Sequence, residues 1–124
     1  SVIARTGLIK SSEKSGRFYD TFRGRLMFPI KDPRGRCIGF GARSLKPDDK
    51  PKYLNSPETA YYRKSRTLYG LHEGLDDIRK KSRIIFVEGY LDVIRPLENG
   101  FTETVATCGT ALTAEHLKIV MRYA

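Results

Sequence analysis

The run Arg83-Ile84-Ile85-Phe86-Val87-Glu88-Gly89-Tyr90-Leu91-Asp92 decides how this chain is read. Ile84 to Val87 is the longest purely apolar run, and an acid and a glycine end it. Such a run predicts a short strand buried on both faces. A helical stretch follows from Tyr90 to about Glu98, with Pro96 placed to shorten or kink it and Asn99-Gly100 to stop it. Glu103 to Thr107 reads as a second strand and Cys108-Gly109-Thr110 as a tight loop. Thr113 then caps a helix from Ala114 to about Tyr123, with apolar positions Leu117, Val120 and Met121. Strand, helix, strand, helix predicts an α/β unit with a parallel sheet and a right-handed crossover.

Upstream of this unit the pattern is different. Leu26 to Ile30 reads as a buried strand whose Pro29 argues for an edge or a bulge, and Asp32-Pro33-Arg34-Gly35 fits a type I turn. Arg36 to Arg43 returns as a second strand, closing a β-hairpin. Gly39 and Gly41 flank Phe40, so another segment can approach the backbone closely there. Ser11 to Gly16 reads as a flexible loop. Residues 44–58 form a long connection punctuated by Pro47, Pro51 and Pro57, and Ser56-Pro57 is suited to start a short helix. Leu71, Leu75 and Ile78 make one stripe of a helix ending near Lys81. The expected architecture is therefore an α+β basic part with a β-hairpin, residues 1–83, joined to the α/β unit of residues 84–124.

Charge follows the same division. Residues 1–83 hold 20 Lys and Arg against 9 Asp and Glu, whereas residues 84–124 hold 3 against 5. A basic excess of that size attracts polyanions, nucleic acid above all, although a solvated basic surface without a ligand has the same composition. The 124 residues, 40% hydrophobic with a net charge of +9, are too apolar for a disordered tail and too charged for a membrane span. No signal-peptide pattern opens the chain. Its two cysteines, Cys37 and Cys108, form neither a zinc knuckle nor a disulfide framework, which points to a reduced compartment. Starting at Ser1 rather than Met, the chain reads as a fragment or a processed product.

Glu88 is the sharpest candidate for chemistry. It follows a predicted strand at its carboxyl end, where open α/β sheets place ligands, and Asp92 lies one helical turn on. Two such carboxylates suit a hard cation such as Mg²⁺; they equally fit acidic residues favouring a helix dipole. A stiff loop carries Lys52, Tyr53 and Asn55, with Lys64 beyond it. Lys52 is suited to neutralise a phosphate. Tyr53 can stack on a base or pack beneath the loop, and Asn55 can hold a turn or bond a nucleotide. Arg23, Arg25 and Arg43 can grip phosphate or serve as ordinary surface charge, and an extended segment would put Arg23 and Arg25 on one face. His72 and His116 read as structural or exposed.

Arg25-Leu-Met-Phe-Pro-Ile30, Gly35-Arg-Cys-Ile-Gly-Phe-Gly-Ala-Arg43, Pro51-Lys-Tyr-Leu-Asn-Ser-Pro-Glu-Thr59, Leu68-Tyr-Gly-Leu71, Val87-Glu-Gly-Tyr-Leu-Asp-Val-Ile94 and Gly109-Thr-Ala-Leu-Thr113 occur in this order. The series resembles the catalytic core of DnaG-type bacterial primases across nearly the whole chain. The Glu-Gly-Tyr-x-Asp stretch is similar to the first motif of a toprim domain. The resemblance implies DNA-templated synthesis of short RNA primers from ribonucleoside triphosphates on a single-stranded DNA template. Glu88 would hold catalytic Mg²⁺ (or Mn²⁺), and Asp92 would belong to the same acidic centre. Arg23, Arg25, Arg43, Lys52, Tyr53, Asn55 and Lys64 would meet template and nucleotide. It further implies a bacterial cytoplasmic location, no membrane, and a replicative helicase reached through domains not contained here.

The departures are a missing zinc-binding domain, a missing Asp-x-Asp strand end after Tyr123, and Ala42 in place of the second glycine of Gly-Gly-Arg. The fragment alone is accordingly expected to bind nucleic acid without making primer. With a parallel sheet of two strands and open edges, it is also expected to self-associate. The competing readings are a toprim nuclease, a phage-type primase-helicase piece, and a non-catalytic single-strand-binding module.

Overall fold

In the computed structural model, which describes residues 2–124, a short helix α1 (Val2–Arg5) leads into an antiparallel pair, β1 (Ile9–Ser11) and β2 (Phe18–Asp20). The serine-rich segment is thus the tip of a hairpin and not an unstructured loop. Ser12 N–H donates to Arg17 O, and Gly16 N–H donates to Ser12 O. Buried Thr21 fixes the base of the hairpin: its hydroxyl donates to Gly7 O at 2.7 Å and its N–H to Leu8 O at 2.8 Å.

The second hairpin forms as its turn residues require. Gly35 N–H donates to Asp32 O at 2.9 Å, and the Asp32 carboxylate accepts from the N–H groups of Arg34 and Arg36. It joins β3 (Arg25–Lys31) to β4 (Cys37–Ser44), with a register shift between Ile30 and Lys31. β3 is an edge strand and carries exposed Pro29, where the missing N–H is tolerated. Phe28 and Ile30 are buried on the packed face of the sheet and Pro29 faces out, whereas Leu26 shares the face of Phe28 and is exposed at the start of the strand, opposite Arg43. The run was expected to be buried throughout.

The connection after β4 is not structureless. β5 (Tyr53–Asn55) adds to β4, with Gly41 opposite Asn55 and Arg43 opposite Tyr53. Ser56-Pro57 starts no helix, because Ser56 is drawn to β4: its hydroxyl accepts from Phe40 N–H, and its own N–H donates to Phe40 O.

A 3-10 turn (Lys64–Arg66) precedes β6 (Leu68–Tyr69) and α2 (Leu71–Lys81). Then come β7 (Ile85–Val87), α3 (Tyr90–Glu98), β8 (Thr104–Thr107) and α4 (Ala114–Tyr123). β7 and β8 are parallel, as the strand–helix–strand pattern requires, but the sheet has three strands, because β6 pairs antiparallel with β8 in the order β6-β8-β7. β6 covers one edge that a two-stranded sheet would have left open. β7 lies at the other edge, so Phe86 is 36% exposed and the strand is not buried on both faces.

Pro96 sits within α3, whose end is closed by Gly100 at φ 87°, with Phe101 N–H donating to Pro96 O and Gly100 N–H to Leu97 O. Along α4, Ile119, Val120 and Tyr123 pack inward while Leu117 and Met121 are exposed, which corrects the expected apolar face. His116 is fully buried and structural: Nδ1 accepts from Thr113 N–H, and Nε2 donates to Lys64 O at 2.8 Å. His72 is likewise structural, its Nδ1 donating to Pro33 O.

Two apolar clusters flank the β6-β8-β7 sheet. Leu68, Leu71, Ile78 and Val105 form one, beneath α2 and α4. Phe28, Ile30, Tyr62, Tyr90 and Cys108 form the other, which unites the hairpin sheet with α3 and the end of β8. Glu103, fully buried just before β8, accepts from Lys81 at 2.8 Å and from Arg83, tying both ends of the α2–β7 connection to the sheet. No helix of the described residues is long and apolar enough to cross a membrane.

Candidate functional site

Val87 is level with Ala106 in the parallel pair, so Glu88 and Thr107 leave the sheet at the same end. Glu88 is exposed and lines a cavity of about 580 Å³ shared with Thr107, Gly109 and Thr110 from the loop after β8. Asp92 turns back over the same corner. Its Oδ2 lies 3.1 Å from the position that a Cβ on Gly89 would occupy, so a larger residue there would crowd the carboxylate. Glu88 and Asp92 also line one concavity with Arg95 and Pro96.

Neither carboxylate is ion-paired among the described residues, and no side chain caps α3. The chemistry is right in kind for a hard cation, which prefers oxygen ligands and retains water. No group of three or more His, Cys, Asp or Glu gathers among the described residues. The two carboxylates therefore fit part of a coordination shell and leave positions for water or phosphate oxygens.

The basic side of the site is built by β4 and β5. Directly paired residues of an antiparallel sheet share a face. Arg43 with Tyr53, and Gly41 with Asn55, therefore stand on the face that also carries Phe28 and Ile30. Tyr53 is 45% exposed, with the Arg43 guanidinium 5.9 Å and the Lys52 ammonium 5.8 Å from its ring centre. Arg25 reaches across to donate to Lys52 O at 3.4 Å. Arg43, Lys52 and Tyr53 thus form one cationic and aromatic group, which Arg25 meets only at the Lys52 carbonyl, since its pairing with Ser44 puts it on the other face of the sheet.

Asn55 joins this group to the acidic corner. It is a strand residue and makes no turn. Its Oδ1 accepts from the Tyr90 hydroxyl, and its Nδ2 lies 2.5 Å from the position of a Cβ on Gly109, the glycine that lines the Glu88 cavity. Tyr90 follows Glu88-Gly89 and packs into the sheet: it stacks on Phe28 at 4.9 Å and meets Tyr69 edge-on at 4.7 Å. A Cβ on Gly41 would fall 2.2 Å from the Tyr90 ring, which accounts for one of the two glycines flanking Phe40. A Cβ on Gly39 would meet Tyr62 less tightly, at 3.2 Å.

Lys64 enters from the 3-10 turn. Its charge is felt at Cys108, although burial is the main influence and pushes that thiol up to about 11. Arg23 is not brought to this group. Gly24 at φ 59° breaks the extended backbone between Arg23 and Arg25, and the Arg23 guanidinium sits 5.2 Å over the Tyr19 ring instead. The two arginines therefore do not share one face of an extended segment. Sequence reasoning gave no role to Tyr90 or to the Thr107–Thr110 loop. The tyrosine immediately after Glu-Gly and the glycine after a strand were the available signals.

A family model described as DNA primase catalytic core, N-terminal domain, matches residues 1–75, and a toprim domain model matches residues 82–124. The chain is 51% identical over its whole length to a DNA primase of Neisseria meningitidis serogroup A and 48% identical over 116 residues to the DNA primase of Escherichia coli K12. It spans about a fifth, 20%, of each of those relatives. Among solved structures, a DNA primase domain from Pseudomonas aeruginosa superposes with a TM-score of 0.92 at 48% identity, covering 98% of this chain and 38% of that one. A DnaG primase catalytic domain bound to single-stranded DNA superposes with a TM-score of 0.87 at 46% identity, with the same coverage.

Proposed function

Since the chain belongs to the DNA primase catalytic-core family, we propose that it forms the part of a bacterial primase that guides a single-stranded DNA template and a ribonucleoside triphosphate toward a carboxylate centre for primer synthesis. One observation carries this reading. Asn55, on the strand beside Arg43 and Tyr53, bonds Tyr90 and lies against Gly109, so the cationic face and the Glu88 cavity meet in one place. Residues 1–83 grip strand and nucleotide in this proposal, and residues 84–124 supply the first half of a toprim unit.

The residues divide the work by chemistry. Arg25, Arg43, Lys52 and Lys64 neutralise phosphates, and Tyr53 offers its exposed ring to a base. Asn55, with Oδ1 committed to Tyr90, keeps its amide N–H groups to donate to a nucleotide oxygen. Glu88 supplies a carboxylate ligand to a divalent cation, Mg²⁺ or Mn²⁺, with Asp92 at the same corner. When bound, such an ion neutralises charge on the attacking and leaving oxygens. The reaction forms a bond from a 3′-oxygen to an α-phosphorus and releases pyrophosphate. The location proposed is the bacterial cytoplasm, with helicase contact made through regions outside residues 1–124. The open edge of β7 further supports self-association, which sedimentation would show as a mass rising with concentration.

Glu88→Gln in a primase polypeptide carrying this segment tests the assignment. Primer synthesis should collapse while single-stranded DNA binding survives. Retained synthesis would remove Glu88 from the chemistry, and lost binding would make its role structural.

A further inference from the structure

Tyr90 opens α3 directly after Glu88-Gly89 and is only 5% exposed, yet its hydroxyl is spent across the domain, on the side-chain oxygen of Asn55 in β5. Gly41 clears the way. It stands opposite Asn55 in the β4–β5 pair, and a side chain on it would fill the space that the Tyr90 ring and hydroxyl occupy. The ring cannot swing aside, because Phe28 stacks on its face at 4.9 Å and Tyr69 meets it edge-on at 4.7 Å. Cys108 packs in the same apolar cluster, but its thiol is a weaker acceptor than an amide oxygen. The phenol therefore stays on Asn55, and the carboxamide can rotate only by breaking that bond.

That constraint decides what Asn55 can offer. With Oδ1 accepting from the phenol, the rest of the half-buried amide is two N–H donors, and Nδ2 donates to none of the described residues. Nδ2 faces Gly109, whose lack of a side chain leaves it room beside the Glu88 cavity. The geometry points to Tyr90 as a positioning residue for the incoming nucleotide: its hydroxyl holds the Asn55 amide as a fixed pair of donors beside the Glu88 cavity. A free carboxamide would turn either its oxygen or its nitrogen to the ligand and would become ordered only on binding. The held amide is already set for an acceptor oxygen of a ribonucleoside triphosphate, and it disfavours a group that can only donate in the same place. The inference rests on reading Asn55 as a nucleotide contact, and it assigns the tyrosine behind that contact.

The test is steady-state primer synthesis by a primase polypeptide carrying this segment, with the ribonucleoside triphosphate varied at fixed template and Mg²⁺. Tyr90→Phe keeps the packed ring and removes the hydroxyl. It should raise KM for the triphosphate about fivefold, the worth of one hydrogen bond, and change kcat by less than about twofold. Asn55→Ala should raise KM at least as much. Adding Tyr90→Phe to it should raise KM by less than about twofold more, because the two side chains act through one contact. Asn55→Asp keeps an oxygen for the phenol and has no N–H to donate, so its KM should rise as far as that of Asn55→Ala or further.

A tyrosine that served packing alone would move other quantities. Its loss would lower the thermal midpoint and the amount of active enzyme, which reduces apparent kcat. KM would stay parental, because it does not depend on how much of the enzyme is folded. Parental KM in Tyr90→Phe with a raised KM in Asn55→Ala would overturn the proposal and leave Asn55 as the nucleotide contact. Parental KM in both would overturn the proposal and the contact together. Fully additive increases would likewise overturn it, since Tyr90 would then act by a route that bypasses Asn55.

Discussion

Gly41→Ala puts the junction between the two halves under direct strain. The added methyl would sit 2.2 Å from Tyr90 Cζ and 2.3 Å from its hydroxyl oxygen, whereas ordinary contact begins near 3.4 Å. The ring would have to retreat by more than 1 Å. It has nowhere easy to go, because Phe28 stacks on one side at 4.9 Å and Tyr69 abuts it at 4.7 Å. Overpacking of this kind costs about 1–3 kcal/mol, and losing the Tyr90–Asn55 hydrogen bond adds about 0.5–1.5 kcal/mol. The reduced freedom of the unfolded chain returns roughly 0.4–1 kcal/mol, because Gly41 does not need a left-handed backbone.

The net cost should be about 2–3 kcal/mol, a fall of roughly 10 °C in thermal midpoint for a domain of this size. Calorimetry or urea unfolding would measure it. A double-mutant cycle isolates the cause: in a Tyr90→Leu background the same substitution should cost less than about 0.5 kcal/mol. A midpoint indistinguishable from the parent's, or an equal cost in both backgrounds, would refute the steric argument.

Two further outcomes follow from buried groups. The Glu103 carboxyl is held down at about 2, against an ordinary 4.5, chiefly by hydrogen bonds from Lys81 and Arg83. Its stabilisation is complete above pH 4.5 and is lost as pH falls toward 2, so Glu103→Gln should lower stability at neutral pH and flatten the acid limb of a urea-midpoint profile across that window. Cys37 is exposed while Cys108 is fully buried with its thiol pushed up to about 11, so iodoacetamide should label one cysteine per native chain and both in denaturant, as mass spectrometry would show.

The parts of the fold legible in the sequence were those with local signals. The α2, α3 and α4 helices follow from apolar spacing and stop or cap residues, and the β3–β4 hairpin from Asp32-Pro33-Arg34-Gly35. The parts missed are strands too short to show a period. β6 has two residues, and β5 has three just after Pro51; each is set by a partner strand distant in sequence. The β1–β2 hairpin was masked by its serine-rich tip, although two backbone bonds close that tip. Within the candidate site, the position of Glu88 at a strand end could be read from Val87-Glu88-Gly89. Its nearness to Asn55 could not, because the bond to Tyr90 and the approach to Gly109 exist only after the two sheets pack together.

The sheet β6-β8-β7 draws its first strand from upstream of residue 83 and its other two from downstream. A backbone nick between residues 83 and 84 would therefore leave the downstream piece with β8 lacking its antiparallel neighbour and the upstream piece with Tyr62 and Phe28 stripped of Tyr90 and Cys108. Each piece would carry the template for the other, so the severed halves should recover order by complementation when mixed and show little of it apart. Assembly of the basic face and assembly of the acidic corner are in this sense a single folding event.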